Sequence, residues 1–80
     1  GEFMGVIIYT SDICAPCKAT KSWLTAHNIS YTEKNISDDS NRMELIGKGY
    51  QSTPVTLVQN GDNETYIVGF NTKKLEEVFS

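Results

Sequence analysis

The chain has 80 residues, room for one small domain, with 39% hydrophobic residues, 21% charged residues and a net charge of −3. That balance excludes a disordered chain, which needs low hydrophobicity with high net charge, and the seven scattered Lys and Arg residues give no basic surface for nucleic acid. The longest unbroken apolar run, Val6 to Tyr9, is far too short to span a membrane.

Gly1-Glu2-Phe3 reads as a cloning scar ahead of a native start at Met4, so the domain is taken as residues 4–80. The residues after Met4 hold neither a basic leader nor a signal-peptide apolar stretch, which places the protein in the cytoplasm. Val6-Ile7-Ile8-Tyr9 is apolar and β-branched, the pattern of a central strand buried on both faces. Thr10 to Ile13 form a loop. The spacing then predicts a helix over Ala15–His27, with Ala19, Trp23 and Ala26 on its core stripe and Thr20, Leu24 and His27 beside it. Asn28, tolerant of the left-handed conformation, ends it.

A second strand is predicted at Ser30–Asn35, where Tyr and Thr alternate with polar residues. Ser37-Asp38-Asp39-Ser40 offers cap residues and early negative charge for a short helix over Asp39–Gly47. In that helix Met43, Ile46 and Tyr50 recur at helical spacing, and Gly47 and Gly49 mark the end. Pro54 opens a strand over Val55–Gln59, Asn60-Gly61-Asp62-Asn63 is a turn, and Thr65–Val68 returns as the second arm of a hairpin. Gly69 breaks it, and Asn71 or Thr72 caps a last helix with Leu75, Val78 and Phe79 on one face. The order β-α-β-α-β-β-α describes an α/β domain. Its first two strands are parallel with a right-handed crossover, its last two are an antiparallel hairpin, and helices cover both faces of one mixed four-stranded sheet.

The two cysteines of the chain, Cys14 and Cys17, stand three apart where the first strand hands over to the first helix. Cys14 falls at the helix N-cap and Cys17 one turn inside. Free backbone N–H groups and the positive helix end favour a thiolate at Cys14, and the thiolate is the attacking species in disulfide exchange. Cys14 attacks a substrate disulfide, and Cys17 then resolves the mixed disulfide and leaves a 14–17 bridge. Pro16 fits the first turn, where its missing N–H costs nothing. Lys18 and Lys21 either add positive potential there or are simply solvated helix surface. A structural disulfide is a poor reading, since closing so short a loop restrains little of the unfolded chain. Two other readings remain: unreactive buried thiols, and half of a zinc site whose sole further ligand would be His27.

These residues resemble a family. Ile8-Tyr9-Thr10, Cys14-Ala15-Pro16-Cys17 with Lys18-Ala19-Thr20-Lys21, Gly49-Tyr50, Ser52-Thr53-Pro54-Val55 and Val68-Gly69-Phe70 together are similar to the glutaredoxin-like branch of the thioredoxin superfamily, most of all to NrdH-type redoxins. The resemblance implies a thioredoxin-like fold and a redox-active Cys14–Cys17 disulfide with no bound cofactor. It implies a cis Thr53-Pro54 corner against the Cys pair, where the Thr53 backbone receives an extended substrate segment; a trans proline opening an edge strand is the alternative. Gly69 and Phe70 complete the substrate groove, and Ala15, Pro16 and Lys18 support the motif.

Relatives that use glutathione carry Pro-Tyr between the cysteines, a basic residue before them, and Gly-Gly with an acidic cap near the last helix. Here Asp12 stands in place of positive charge, and Val68-Gly69-Phe70-Asn71 lacks both the second glycine and the acid. The NrdH-type likeness implies recharging by thioredoxin reductase, with NADPH and flavin upstream, and electron donation to ribonucleotide reductase by a monomer. The chain departs from that type in lacking its Trp-Ser-Gly-Phe-Arg-Pro segment. Pro16 directly before Cys17, as in thioredoxins, implies a poise nearer ~−270 mV than the glutaredoxin range of ~−200 to −230 mV. A glutathione-dependent glutaredoxin is the alternative within the superfamily. A redox-sensing regulator is the alternative of another class, because Tyr9-Thr10-Ser11, Cys14 to Ala19 and Trp23-Leu24 also look like Spx and arsenate-reductase-like chains. Trp23 and Tyr9 read as packing, His27 as a helix-end residue without visible partner, Tyr50 as groove or core, and Phe70 as groove or as a residue closing the core.

Overall fold

The computed structural model describes residues 4–79. The expected scar at Gly1-Glu2-Phe3, and Ser80 at the end of the expected domain, lie outside them. The elements are β1 (Met4–Thr10), α1 (Ala15–Ala26), β2 (Thr32–Asn35), α2 (Asp39–Gly47), β3 (Val55–Asn60), β4 (Asn63–Val68) and α3 (Thr72–Phe79). They follow the predicted order and form one mixed sheet, β2-β1-β3-β4. β2 starts at Thr32 rather than Ser30, because its parallel register with β1 begins only at Ile7↔Thr32. The hairpin closes on Asn60↔Asn63, and Gly61 takes the positive φ of 62° that a two-residue turn demands.

Alternation along the strands sorts the core into two layers. Val6, Val58 and Ile67 face α1 and α3 and pack with Leu24 and Leu75. Tyr9, Val55 and Leu57 face the other side and pack with Leu45 of α2. Each such aliphatic side chain removed from water contributes roughly 1.5–3 kcal/mol. Trp23 is packing, as expected, half-buried at the edge of the first layer. His27 does have a partner: it stacks on Trp23 at 3.8 Å between ring centroids, and its Nδ1 lies 2.8 Å from the Trp23 carbonyl. Tyr50 belongs to the core rather than the groove, against Tyr66 at 5.0 Å between ring centroids.

Two predicted helix faces are corrected. The buried stripe of α1 is Cys17, Thr20 and Leu24, not Ala19, Trp23 and Ala26. Cys17 is buried one turn into the helix, and Thr20 and Leu24 follow it at helical spacings of three and four on the same face. Thr20 is tolerated inside because its hydroxyl donates to the Pro16 carbonyl at 2.9 Å. On α2 the buried residue is Leu45, while Met43 is 59% exposed. Ile46 is exposed as well.

Both helices end in the same motif. After α1, Asn28 has φ 58°, its N–H donates to the Thr25 carbonyl at 3.1 Å, and the Ile29 N–H reaches the Leu24 carbonyl at 2.9 Å. After α2, Gly49 has φ 93°, its N–H donates to the Ile46 carbonyl at 2.9 Å, and the Tyr50 N–H reaches the Leu45 carbonyl at 3.2 Å. This cap folds the following apolar residue back on the last turn, which joins Leu24 to Ile29 and Leu45 to Tyr50.

α2 is also tied to the sheet by charge. The buried Tyr9 hydroxyl donates to Glu44 Oε2, and Lys34 Nζ of β2 reaches the same oxygen at 2.8 Å. Burial, then the Glu44 hydrogen bond, pushes the Tyr9 hydroxyl pKa up. Lys34, then Tyr9, holds the Glu44 carboxyl below its ordinary 4.5. A carboxylate with a depressed folded pKa contributes stability that is present above its unfolded value and lost as pH falls through the folded value. Urea unfolding followed from neutral into acid solution should therefore show a stability loss below about 4.5 that is shallower in Glu44→Gln. The pair is partly exposed, so the difference is modest and shrinks with added salt.

Candidate active site

The strand-to-helix junction is built by Cys14 itself. As N-cap of α1 it has extended φ −157°, ψ 96°, and its Sγ accepts the Cys17 N–H at 3.1 Å. Ala15 and Pro16 follow as the first helical residues and are exposed. Cys14 and Cys17 are bridged as a disulfide with their Cα atoms 5.2 Å apart. Cys17 is 1% exposed, whereas Cys14 is only half-buried. Of the two sulfur positions, the one at the helix mouth is the one open to a partner.

A second segment closes on this junction from the start of β3. The Thr53-Pro54 bond is cis, as the resemblance implied. Pro54 is buried, and its carbonyl accepts the Gly69 N–H at 2.8 Å, with Gly69 at φ 76°. Thr53 Oγ1 lies 3.8 Å from Cys14 Sγ and 3.0 Å from Ser11 Oγ. Cys14, Cys17, Thr53, Pro54 and Gly69 are thus brought to one place. Phe70, next to Gly69, is 42% exposed, so it does not close the core beside α3.

Two residues at this site escaped the sequence reading. Ile13, directly before Cys14, is 98% exposed, an apolar side chain held in solvent beside the redox pair. Ser11 meets Thr53 because the antiparallel register Tyr9↔Val55, carried two residues further on each strand, sets them opposite one another. Pairing the strands by their apolar patterns, rather than only placing each strand, would have found it.

The charges nearby are mostly paired. Lys21 Nζ is 2.9 Å from Glu33 Oε2, and the buried Thr10 hydroxyl donates to that oxygen at 2.7 Å. Lys21, then Thr10, holds the Glu33 carboxyl below its ordinary range. Lys21 is therefore neutralised by Glu33, and the positive potential expected near the pair falls to Lys18, which is exposed on the first turn. Asp12 is exposed and accepts a hydrogen bond from Asn35 Nδ2 at 2.8 Å. Among the described residues no group of three or more His, Cys, Asp or Glu is placed to hold a metal ion. No helix among them is long and apolar enough to cross a membrane.

Residues 6–62 match the family model of glutaredoxin. Over 71 residues the chain is 30% identical to an uncharacterized glutaredoxin-like 8.6 kDa protein in the rubredoxin operon of Clostridium pasteurianum, covering 89% of this chain and 92% of that protein. The chain belongs to the glutaredoxin family. It is 35% identical over 51 residues to the glutaredoxin-like protein NrdH of Lactococcus lactis subsp. cremoris, covering 62% of this chain and 71% of that protein. A shorter match, 51% identical over 35 residues, is to the global transcriptional regulator Spx 2 of Bacillus cereus; it takes in 44% of this chain but only 27% of the regulator's length. Among solved structures, the thioredoxin-like protein BC3987 aligns with a TM-score of 0.78 at 29% identity, covering 91% of this chain and 97% of that one. The glutaredoxin-like domain thus has the thioredoxin-like fold expected of it, and its chemistry is thiol–disulfide exchange.

Proposed function

We propose that this protein reduces protein disulfides as an electron-donating redoxin of the NrdH type, with Cys14 as nucleophile and Cys17 as resolving thiol. The reading rests on one observation: half-buried Cys14 at the mouth of α1, with Cys17 buried one turn further along the helix. In the reduced protein the Cys14 thiolate attacks one sulfur of the substrate disulfide. The substrate S–S bond breaks, a Cys14–substrate bond forms, and the departing thiolate takes up a proton. Cys17 then gives up its proton and attacks Cys14 Sγ, which forms the 14–17 bridge and releases the second substrate thiol. Two electrons pass from the dithiol to the substrate. The backbone of half-buried Thr53, beside buried Pro54, with Gly69 and Phe70, receives the substrate chain as a short added strand. Ala15, Pro16 and Lys18 shape the helix mouth.

The proposed reductant is thioredoxin reductase, which draws electrons from NADPH through its flavin, and the proposed recipient is ribonucleotide reductase or another disulfide protein. The protein would act as a cytoplasmic monomer. Asp12 and Phe70 favour this over glutathione: an exposed acid disfavours a tripeptide with two carboxylates, and an exposed ring takes up room beside Gly69. The test pairs two reductants on insulin disulfides: thioredoxin reductase with NADPH, and glutathione with glutathione reductase and NADPH. NADPH should be consumed quickly in the first mixture and slowly in the second. Turnover with glutathione alone would overturn the assigned reductant, and no turnover in either would overturn the donor function.

A further inference from the structure

We infer that Ser11 is a positioning residue for Cys14: its hydroxyl orients the Thr53 hydroxyl so that Thr53 donates its proton to Cys14 Sγ. The inference rests on the proposed role of Cys14 as nucleophile and deepens it. Thr53 Oγ1 has two polar neighbours, Cys14 Sγ at 3.8 Å and Ser11 Oγ at 3.0 Å. It has one proton to give. A disulfide sulfur or a thiolate has none, so the Thr53–Cys14 bond exists only when Thr53 is the donor. The contact with Ser11 must then run the other way, from the Ser11 hydroxyl to Thr53 Oγ1. The result is a directed relay from Ser11 through Thr53 to Cys14.

The relay acts unequally on the two redox states. A thiolate accepts hydrogen bonds more strongly than a neutral disulfide sulfur, and each bond in a chain strengthens the next. It therefore joins the Cys17 N–H, 3.1 Å from Cys14 Sγ, in stabilising the reduced, ionised form. Without Ser11 the Thr53 hydroxyl is free to turn away. The groups around Cys14 leave the relay without a competing charge on its own loop, since Ser52, Thr53 and Pro54 are neutral. The charged neighbours are Asp12, engaged by Asn35, and Lys18 on the first turn of α1; Lys21 and Glu33 satisfy one another.

The test is the Cys14 titration, read from thiolate absorbance in the reduced full chain with Cys17→Ala so that only one thiol titrates. Ser11→Ala should raise the Cys14 pKa by about half a unit and Thr53→Val by about one unit. Ser11→Thr and Thr53→Ser, which keep the hydroxyls, should hold it near the parent value. Ser11→Ala should add nothing in the Thr53→Val background, a non-additivity that a merely structural effect would not produce. An unchanged pKa in Ser11→Ala, or a shift that persists without the Thr53 hydroxyl, would overturn the relay. A parent protein that titrates as described but reduces no disulfide would instead overturn the proposed function and leave the relay standing.

Discussion

Replacing Cys14 by Ser is expected to reduce disulfide turnover to the background rate, while Cys17→Ser should stop the reaction one step later with substrate attached. The asymmetry follows from placement. Cys14 caps α1 at its open mouth, where its sulfur accepts the Cys17 N–H and sits near the positive helix end. Cys17 is buried and bonded to Cys14, so it reaches Cys14 but no substrate in bulk solution. In Cys14→Ser the buried thiol has nothing to attack, and a hydroxyl in place of the thiol does not ionise near neutral pH. In Cys17→Ser the first exchange proceeds, but the Cys14–substrate disulfide finds no internal thiol to resolve it. Mass spectrometry of the Cys17→Ser protein mixed with a disulfide peptide should show one peptide adduct, removed by dithiothreitol. The Cys14→Ser protein should show none. An adduct on Cys17 in the Cys14→Ser protein would reverse the assigned roles.

Much of this site was legible because its parts are local. A C-x-x-C pair after an apolar strand and before a helical pattern fixes both sulfurs within one turn, and Pro16 and the N-cap need no distant contact to form. The Thr53-Pro54 corner was reached through resemblance, since nothing within Ser52 to Val55 says what it lies against. What escaped was relational. Ser11 and Thr53 are 42 positions apart and meet only through the register of β1 with β3. The same holds for Lys21, whose positive field is offset by Glu33 across the gap between α1 and β2. The faces of α1 and α2 were misjudged for another reason. Both helices are short and carry apolar residues on more than one side, so spacing alone admits several stripes. The caps contain the missing information: with Asn28 and Gly49 read as left-handed end residues, the motif pairs Leu24 with Ile29 and Leu45 with Tyr50.

That reading of α2 has a large consequence for stability. Leu45→Ala is expected to cost about 2–5 kcal/mol, because it empties a fully buried site between Tyr9, Val55 and Leu57 and removes the partner of Tyr50. Met43→Ala and Ile46→Ala, on the exposed side of the same helix, should each stay within about 1 kcal/mol. A small domain holds a total of roughly 5–15 kcal/mol, so the first change takes a large share and the others do not. Urea unfolding of the three variants at neutral pH distinguishes the cases, and Leu45→Ala should also melt roughly 10 °C or more below the parent. The comparison is internal: all three substitutions leave alanine in the same helix, so differences in helix propensity are small beside the cavity. If Met43→Ala lost as much as Leu45→Ala, the helix would present the Met43 stripe to the sheet. Glu44 would then be turned away from Tyr9 and Lys34, and the shallower acid response expected of Glu44→Gln would disappear with it.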